Sequence, residues 1–141
     1  MDNELKIKMY ALTLDCPDPY ALAQFYAELL GWDIPFHDND WACAGAPGAN
    51  QGAYPGITFQ RNPAYIPPVW PEEPGAQQQM AHLAFAVNDL EEAVQRAVRC
   101  GAVVAKDQFS EDWRVMFDPA GHPFCLCSMP SLFETPSFAL R

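Results

Sequence analysis

The sequence has few basic residues. Its 141 residues include eight lysines and arginines against eighteen aspartates and glutamates, which gives a formal net charge of −10. Arg61 is the only lysine or arginine between Lys8 and Arg96. Because no basic stripe is available to neutralise phosphates, we expect neither a nucleic-acid partner nor binding to an anionic membrane surface. A neutral or cationic small ligand is compatible with this charge.

Long apolar runs and ordered cysteine spacings are also lacking. No apolar run reaches the roughly 18 residues of a membrane-spanning helix. Residues 1–4 contain no basic segment that leads into an apolar one, so we expect no signal peptide. The cysteines lack the spacings of zinc or redox motifs; they are Cys16, Cys43, Cys100, Cys125 and Cys127. We therefore expect reduced thiols and a cytoplasmic protein.

The sequence does contain an internal repeat. A short apolar run ends near Asp18 in the first copy and near Asp89 in the second. Each aspartate is suited to cap the helix that its downstream apolar spacing predicts. The helical patterns end at Gly31 and Gly101, a residue type that commonly follows a helix. Three strand-like segments come after each helix. In the first copy they begin at Asp33, after Asp40-Trp41 and at Gly56, and in the second copy at Val103, after Asp112-Trp113 and at Pro123.

This repeat predicts an α+β protein with two βαβββ modules, which form a curved mixed sheet around a central cup. We assign module one to residues 6–62, a proline-rich connection to 63–78, module two to 79–129 and a C-terminal tail to 130–141. The apolar tail, which includes Phe138, is suited to docking on a partner subunit, and we expect a homodimer.

The connecting region, residues 45–76, contains seven prolines and is predicted to be mostly extended coil around one strand. Its aromatic residues are Tyr54, Tyr65 and Trp70. They either fold over the mouth of the cup or belong to a plain solvated linker.

Strand alternation separates small from large side chains. In module two it places His82 and Ala84 on one face and Leu83 and Phe85 on the other. The larger side chains should pack on the helix, so His82 should point into the cup, either to contact a ligand or to be a satisfied histidine in the sheet. Small cup-facing residues leave room for a guest, unless large aromatic side chains fill it.

The same alternation directs Thr13 and Asp15 into the cup in module one. Asp15 either contacts a ligand or orders the turn before the first helix. Trp41 and Trp113, at corresponding positions of the repeat, either form cavity walls or fill the space, and aromatic walls suit flat or cationic compounds. The predicted ligand-binding residues are Thr13, Asp15, Trp41, Gln60, His82 and Trp113.

Residues 14–32, 56–71 and much of 82–127 resemble the vicinal oxygen chelate superfamily. Within it they are similar to the glyoxalase-like branch, which includes glyoxalase I, bleomycin-resistance proteins and extradiol dioxygenases. The resemblance implies a divalent metal in the cup, held by a histidine early in the first strand and a glutamate in the last strand of each module. His82 matches one of these four positions.

The other three positions depart from the family pattern. Ala11 stands where the first histidine is expected and carries no donor. Cys125 and Gln60 stand at or near the two glutamate positions, and together with His82 they are an unusual set for an oxygen-preferring ion. No cofactor is therefore predicted, and a divalent metal on His82, Gln60 and Cys125 is kept only as an alternative.

We accordingly predict a glyoxalase-like protein that binds a neutral or cationic aromatic compound without the usual metal site. One alternative is a divergent metal-dependent lyase, isomerase or dioxygenase. A further alternative is a dimeric interaction module whose cup is filled by its own side chains.

Overall fold

The computed structural model describes residues 4–48 and 55–134. The chain divides into two compact units, Met1–Tyr65 and Ile66–Arg141. Each unit contains one helix and one four-stranded mixed sheet, so the two predicted βαβββ modules are confirmed. Within the described ranges, neither helix has the length and apolar character needed to cross a membrane.

The first unit contains one helix and four strands. They are β1 (Ala11–Cys16), α1 (Pro19–Leu30), β2 (Asp33–His37), β3 (Trp41–Gly45) and β4 (Gly56–Arg61). The strand order is β1-β4-β3-β2, with β1 parallel to β4 and the remaining pairs antiparallel. The helix contacts all four strands. Its apolar side buries Leu22, Phe25 and Tyr26, and the Tyr26 ring lies on Phe59 of β4.

The second unit repeats this arrangement and ends in a short 3-10 helix, Pro130–Phe133. Its elements are β5 (Leu83–Val87), α2 (Leu90–Cys100), β6 (Val103–Val104), β7 (Trp113–Phe117) and β8 (Pro123–Ser128). The strand order β5-β8-β7-β6 matches that of the first unit, again with one parallel pair, β5 and β8.

Both predicted helix caps are present. The Asp18 carboxylate accepts a hydrogen bond from Ala21 N at 3.2 Å, and the Asp89 carboxylate accepts one from Glu92 N at 3.1 Å. Each bond satisfies a backbone N–H that has no partner within the helix. Gly31 ends α1 with φ +69°, a conformation that side chains with a Cβ rarely adopt.

A buried carboxylate closes the turn between β7 and β8. Asp118 Oδ1 accepts hydrogen bonds from Ala120 N at 2.9 Å and His122 N at 3.0 Å, and the residue is only 4% exposed. Since these bonds satisfy the buried oxygen, the turn is rigidly defined. It sets the register in which β8 returns alongside β7.

Candidate functional site

A cavity of about 370 Å³ lies within the second unit, on one face of its sheet. The strand register pairs Val115 with Cys125 and Ala84 with Cys125, and all three side chains line the cavity. Alternate residues on β7 and β8, namely Met116, Phe124 and Leu126, are buried in the core. The period of two along each strand therefore separates a packed face from a face that borders open space.

Three aromatic side chains form walls of this cavity: Trp70, Phe109 and Trp113. The Trp70 ring meets the ring of Phe109 edge-on, with centroids 5.7 Å apart, and approaches Phe117 in the same manner at 6.3 Å. Trp70 is therefore part of the cavity wall and does not belong to a plain solvated linker. Tyr65 falls in the first unit, while Tyr54 and the tail residue Phe138 lie outside the described residues.

The loop that carries Trp70 is held by a backbone hydrogen bond and by a proline contact. Val69 N donates to Gln77 O at 2.8 Å, which closes the loop that carries the tryptophan. Pro67 lies against Gly121 of the β7–β8 turn, where a Cβ on the glycine would come within 2.9 Å of the proline ring. These contacts fix the wall before any ligand arrives, which lowers the ordering cost of binding.

The polar lining comes from the segment that leads into β5. His82 borders the cavity, on the face that strand alternation predicts for it, and Gln79 borders it three residues earlier. The Gln79 Oε1 atom is buried and has no hydrogen-bond partner among the described residues. Gln79 was not predicted, because it lies in a loop where no side-chain period indicates direction.

Two thiols complete the lining, Cys125 and Cys127 on β8. Burial raises the pKa of the Cys125 thiol above its ordinary value, and the neighbouring Cys127 raises it further. Cys125 therefore stays protonated at neutral pH and is a weak nucleophile, since nucleophilic attack needs the thiolate.

The remaining predicted ligand-binding residues share one face of the first sheet. The register pairs Asp15 with Gln60 and Gln60 with Trp41. Thr13 lies further along the same face, where its hydroxyl is 2.6 Å from that of Thr58. Asp15 accepts a hydrogen bond from Asn62 Nδ2 at 3.1 Å, a contact that ties β1 to the segment after β4.

The predicted residues thus separate by unit. His82, Trp113 and Cys125 come together at the cavity of the second unit, whereas Gln60 and the other three belong to the first unit. A role in ligand binding stays a prediction for all of them. Phe109 was missed, because it lies in the loop between β6 and β7 and only its packing against Trp70 reveals it.

The residues present do not fit the divalent metal that the resemblance implies. In residues 4–48 and 55–134, no three histidine, cysteine, aspartate or glutamate side chains cluster so that they could hold a metal ion. Ala11, at the position where the family pattern places a histidine, supplies no donor. Oxygen-preferring ions also select carboxylates over thiols.

A wider depression of about 760 Å³ lies in the first unit and is lined mainly by polar groups, including Asp18, Asp38 and Arg61. Asp18 caps α1, and Asp38 Oδ1 accepts from the backbone N–H groups of Asp40 and Trp41. Because these carboxylates already have protein partners, the aromatic cavity of the second unit is the better candidate site.

Comparison with known proteins gives consistent results for the fold. The family model described as a glyoxalase-like domain matches residues 11–127. A search of curated proteins found no match.

Solved structures of glyoxalase relatives are similar in fold at low sequence identity. One is a glyoxalase/bleomycin resistance protein/dioxygenase family enzyme from Burkholderia phytofirmans PsJN, with 17% identity, a TM-score of 0.60, and coverage of 83% of this chain and 94% of that one. A second is a glyoxalase-related enzyme from Fulvimarina pelagi, with 18% identity and a TM-score of 0.59. The match covers 85% of this chain and 86% of that one. A third is the trypanothione-dependent glyoxalase I of Leishmania major, with 15% identity and a TM-score of 0.62. The match covers 91% of this chain and 91% of that one. At such identities the likeness concerns the fold alone.

Proposed function

Because the chain belongs to the glyoxalase-like domain family, we propose that it binds a flat, neutral or cationic aromatic compound in the cavity of its second unit. The observation that carries the proposal is a cavity of about 370 Å³ walled by Trp70, Phe109 and Trp113. Its volume is in the range of small-molecule sites, which are mostly apolar with a few polar groups.

The lining favours a neutral ligand over a cationic one. No aspartate, glutamate, lysine or arginine is among the described residues that border the cavity. A cation would therefore depend on the aromatic faces alone for stabilisation inside the cavity. A neutral ring system buries its faces against the same walls without the loss of ionic hydration.

We propose binding without a metal, because the donor chemistry of His82 and Cys125 does not suit the divalent ion of the family. Members of the family often use such an ion. The experiment must therefore distinguish a metal-free binding protein from a metal-dependent enzyme. Elemental analysis of protein purified without chelator makes that separation. Stoichiometric zinc, manganese or iron that is lost in His82→Ala would overturn the metal-free proposal.

The binding test is calorimetric titration with four flat compounds: benzofuran, indole, quinoline and the cation 1-methylquinolinium. We expect saturable binding of the neutral compounds, with a dissociation constant that EDTA and added salt leave unchanged. Salt-insensitive binding is expected because no aspartate, glutamate, lysine or arginine is among the described residues that border the cavity, and screening acts on charge pairs. Failure of all four compounds to bind would contradict the proposal.

Phe109 provides a direct test of the wall. It is 68% exposed, so Phe109→Ala should fold normally, and losing one aromatic contact should weaken binding of benzofuran about threefold to tenfold. The matched control is Phe133→Ala, since Phe133 is 57% exposed in the same unit and does not border the cavity. Equal affinities in the two variants would show that the ligand lies elsewhere.

A further inference from the structure

We infer that the ligand carries an N–H or O–H group that donates a hydrogen bond to the Gln79 side chain. The inference rests on the proposed function and specifies its ligand: a neutral aromatic compound with one donor. It begins from the Gln79 Oε1 atom, which is buried and has no partner among the described residues. Buried side-chain oxygens in folded proteins nearly always have a partner, so this exception requires a reason.

The apolar surroundings of the Gln79 amide strengthen a hydrogen bond that a ligand would donate to it. The cavity that Gln79 borders is walled by Trp70, Phe109 and Trp113, and a hydrogen bond in such apolar surroundings is stronger than one in water. The same surroundings make an unpaired oxygen costly. A ligand donor that reaches this oxygen therefore forms a hydrogen bond in apolar surroundings, where such a bond is stronger than in water.

The geometry of glutamine allows this contact. The torsion that orients its amide is broad, because it joins an sp³ carbon to an sp² carbon. Rotation about that bond turns Oε1 from its buried position toward the cavity with little torsional strain. Gln79 lies in an irregular segment ahead of β5.

When its carbonyl oxygen faces the cavity, the amide accepts a hydrogen bond, so this orientation favours a ligand with a donor. Cys125, which lines the same cavity, is a protonated thiol, which is a weak donor and does not replace a ligand N–H or O–H. A site built around an unpaired acceptor discriminates strongly against analogues that lack the donor.

Indole and benzofuran test the inference, because they share size and shape and differ in one ring atom, N–H against O. We expect wild-type protein to bind indole about tenfold tighter than benzofuran, the value of one net hydrogen bond. In Gln79→Leu the ratio should fall to about one. In Gln78→Leu, which changes an exposed neighbour outside the cavity, the ratio should keep its wild-type value.

The outcomes separate the two levels of the proposal. Equal affinities for both compounds in wild-type protein, or a preference that persists in Gln79→Leu, would overturn the inference and leave aromatic binding intact. A preference for benzofuran that Gln79→Leu abolishes would also overturn it, since the amide would then be donating. If neither compound binds, the proposed function fails and the inference fails with it.

Discussion

The cavity of the second unit is lined by aromatic, amide and thiol side chains, each of which contributes a different property. Trp70 and Phe109 support each other edge-on, and Gln79 leaves a buried oxygen unpaired beside them. Cys125 contributes a thiol that its surroundings keep protonated. At the scale of single residues, the site is thus an apolar wall with an acceptor that has no partner among the described residues, a combination that suits the proposed binding of a neutral compound.

The raised pKa of Cys125 has a consequence for stability. A group whose pKa is higher in the folded state loses its proton at a higher pH there than in the unfolded chain. Its contribution to stability is complete below the ordinary thiol pKa of about 8.5 and is lost as the pH rises through the raised value. We therefore expect the free energy of unfolding to fall above about pH 8.5, and to fall less in Cys125→Ala.

Urea denaturation at several alkaline pH values measures this difference. Because other groups titrate in the same range, the informative quantity is the change in slope between wild-type protein and Cys125→Ala. Parallel curves for the two proteins would contradict the assignment of a raised pKa to Cys125.

At the scale of elements, local signals were sufficient to predict most of the fold. Asp18 and Asp89 form their predicted caps, and the first strand of each module ends at these turns as expected. In the second copy, β6 and β8 begin at the predicted residues Val103 and Pro123, although β6 is only two residues long. Capping and side-chain alternation are properties of a few neighbouring residues, so sequence alone reveals them.

The loops were less predictable for a physical reason. Gln79 and Phe109 lie in irregular segments, where no period links sequence position to side-chain direction. Their part in the cavity depends on contacts with Trp70 and on a missing hydrogen-bond partner, which only coordinates reveal. The sequence identifies Trp70 as an aromatic residue of the connection, but it does not distinguish a cavity wall from a solvated linker. The ring contacts of Trp70 make that distinction.

The cap of α2 gives a prediction at this scale. Asp89→Ala removes the bond to Glu92 N and should lower the free energy of unfolding by about 1 kcal/mol. Asp89→Asn should keep most of that stability, because asparagine is an equally good cap. Urea denaturation followed by circular dichroism measures both variants. A midpoint for Asp89→Ala equal to that of wild-type protein would show that the cap contributes nothing.

At the scale of the whole molecule, two similar units account for the family assignment. Each has the same element order and the same strand order, and the family model covers residues 11–127. A cup between the modules, a homodimer, a cytoplasmic location and the absence of nucleic-acid or membrane partners stay predictions. The first-unit face with Asp15, Trp41 and Gln60 likewise keeps its predicted role in ligand binding as a prediction.

The central claim is that the cavity of the second unit binds an aromatic ligand. A crystal structure of the protein in complex with indole tests this claim most directly. We predict electron density for the ring between Trp70, Phe109 and Trp113, with the indole N–H within hydrogen-bond distance of Gln79. A cavity filled by the protein's own side chains, or indole bound only at another surface, would contradict the account.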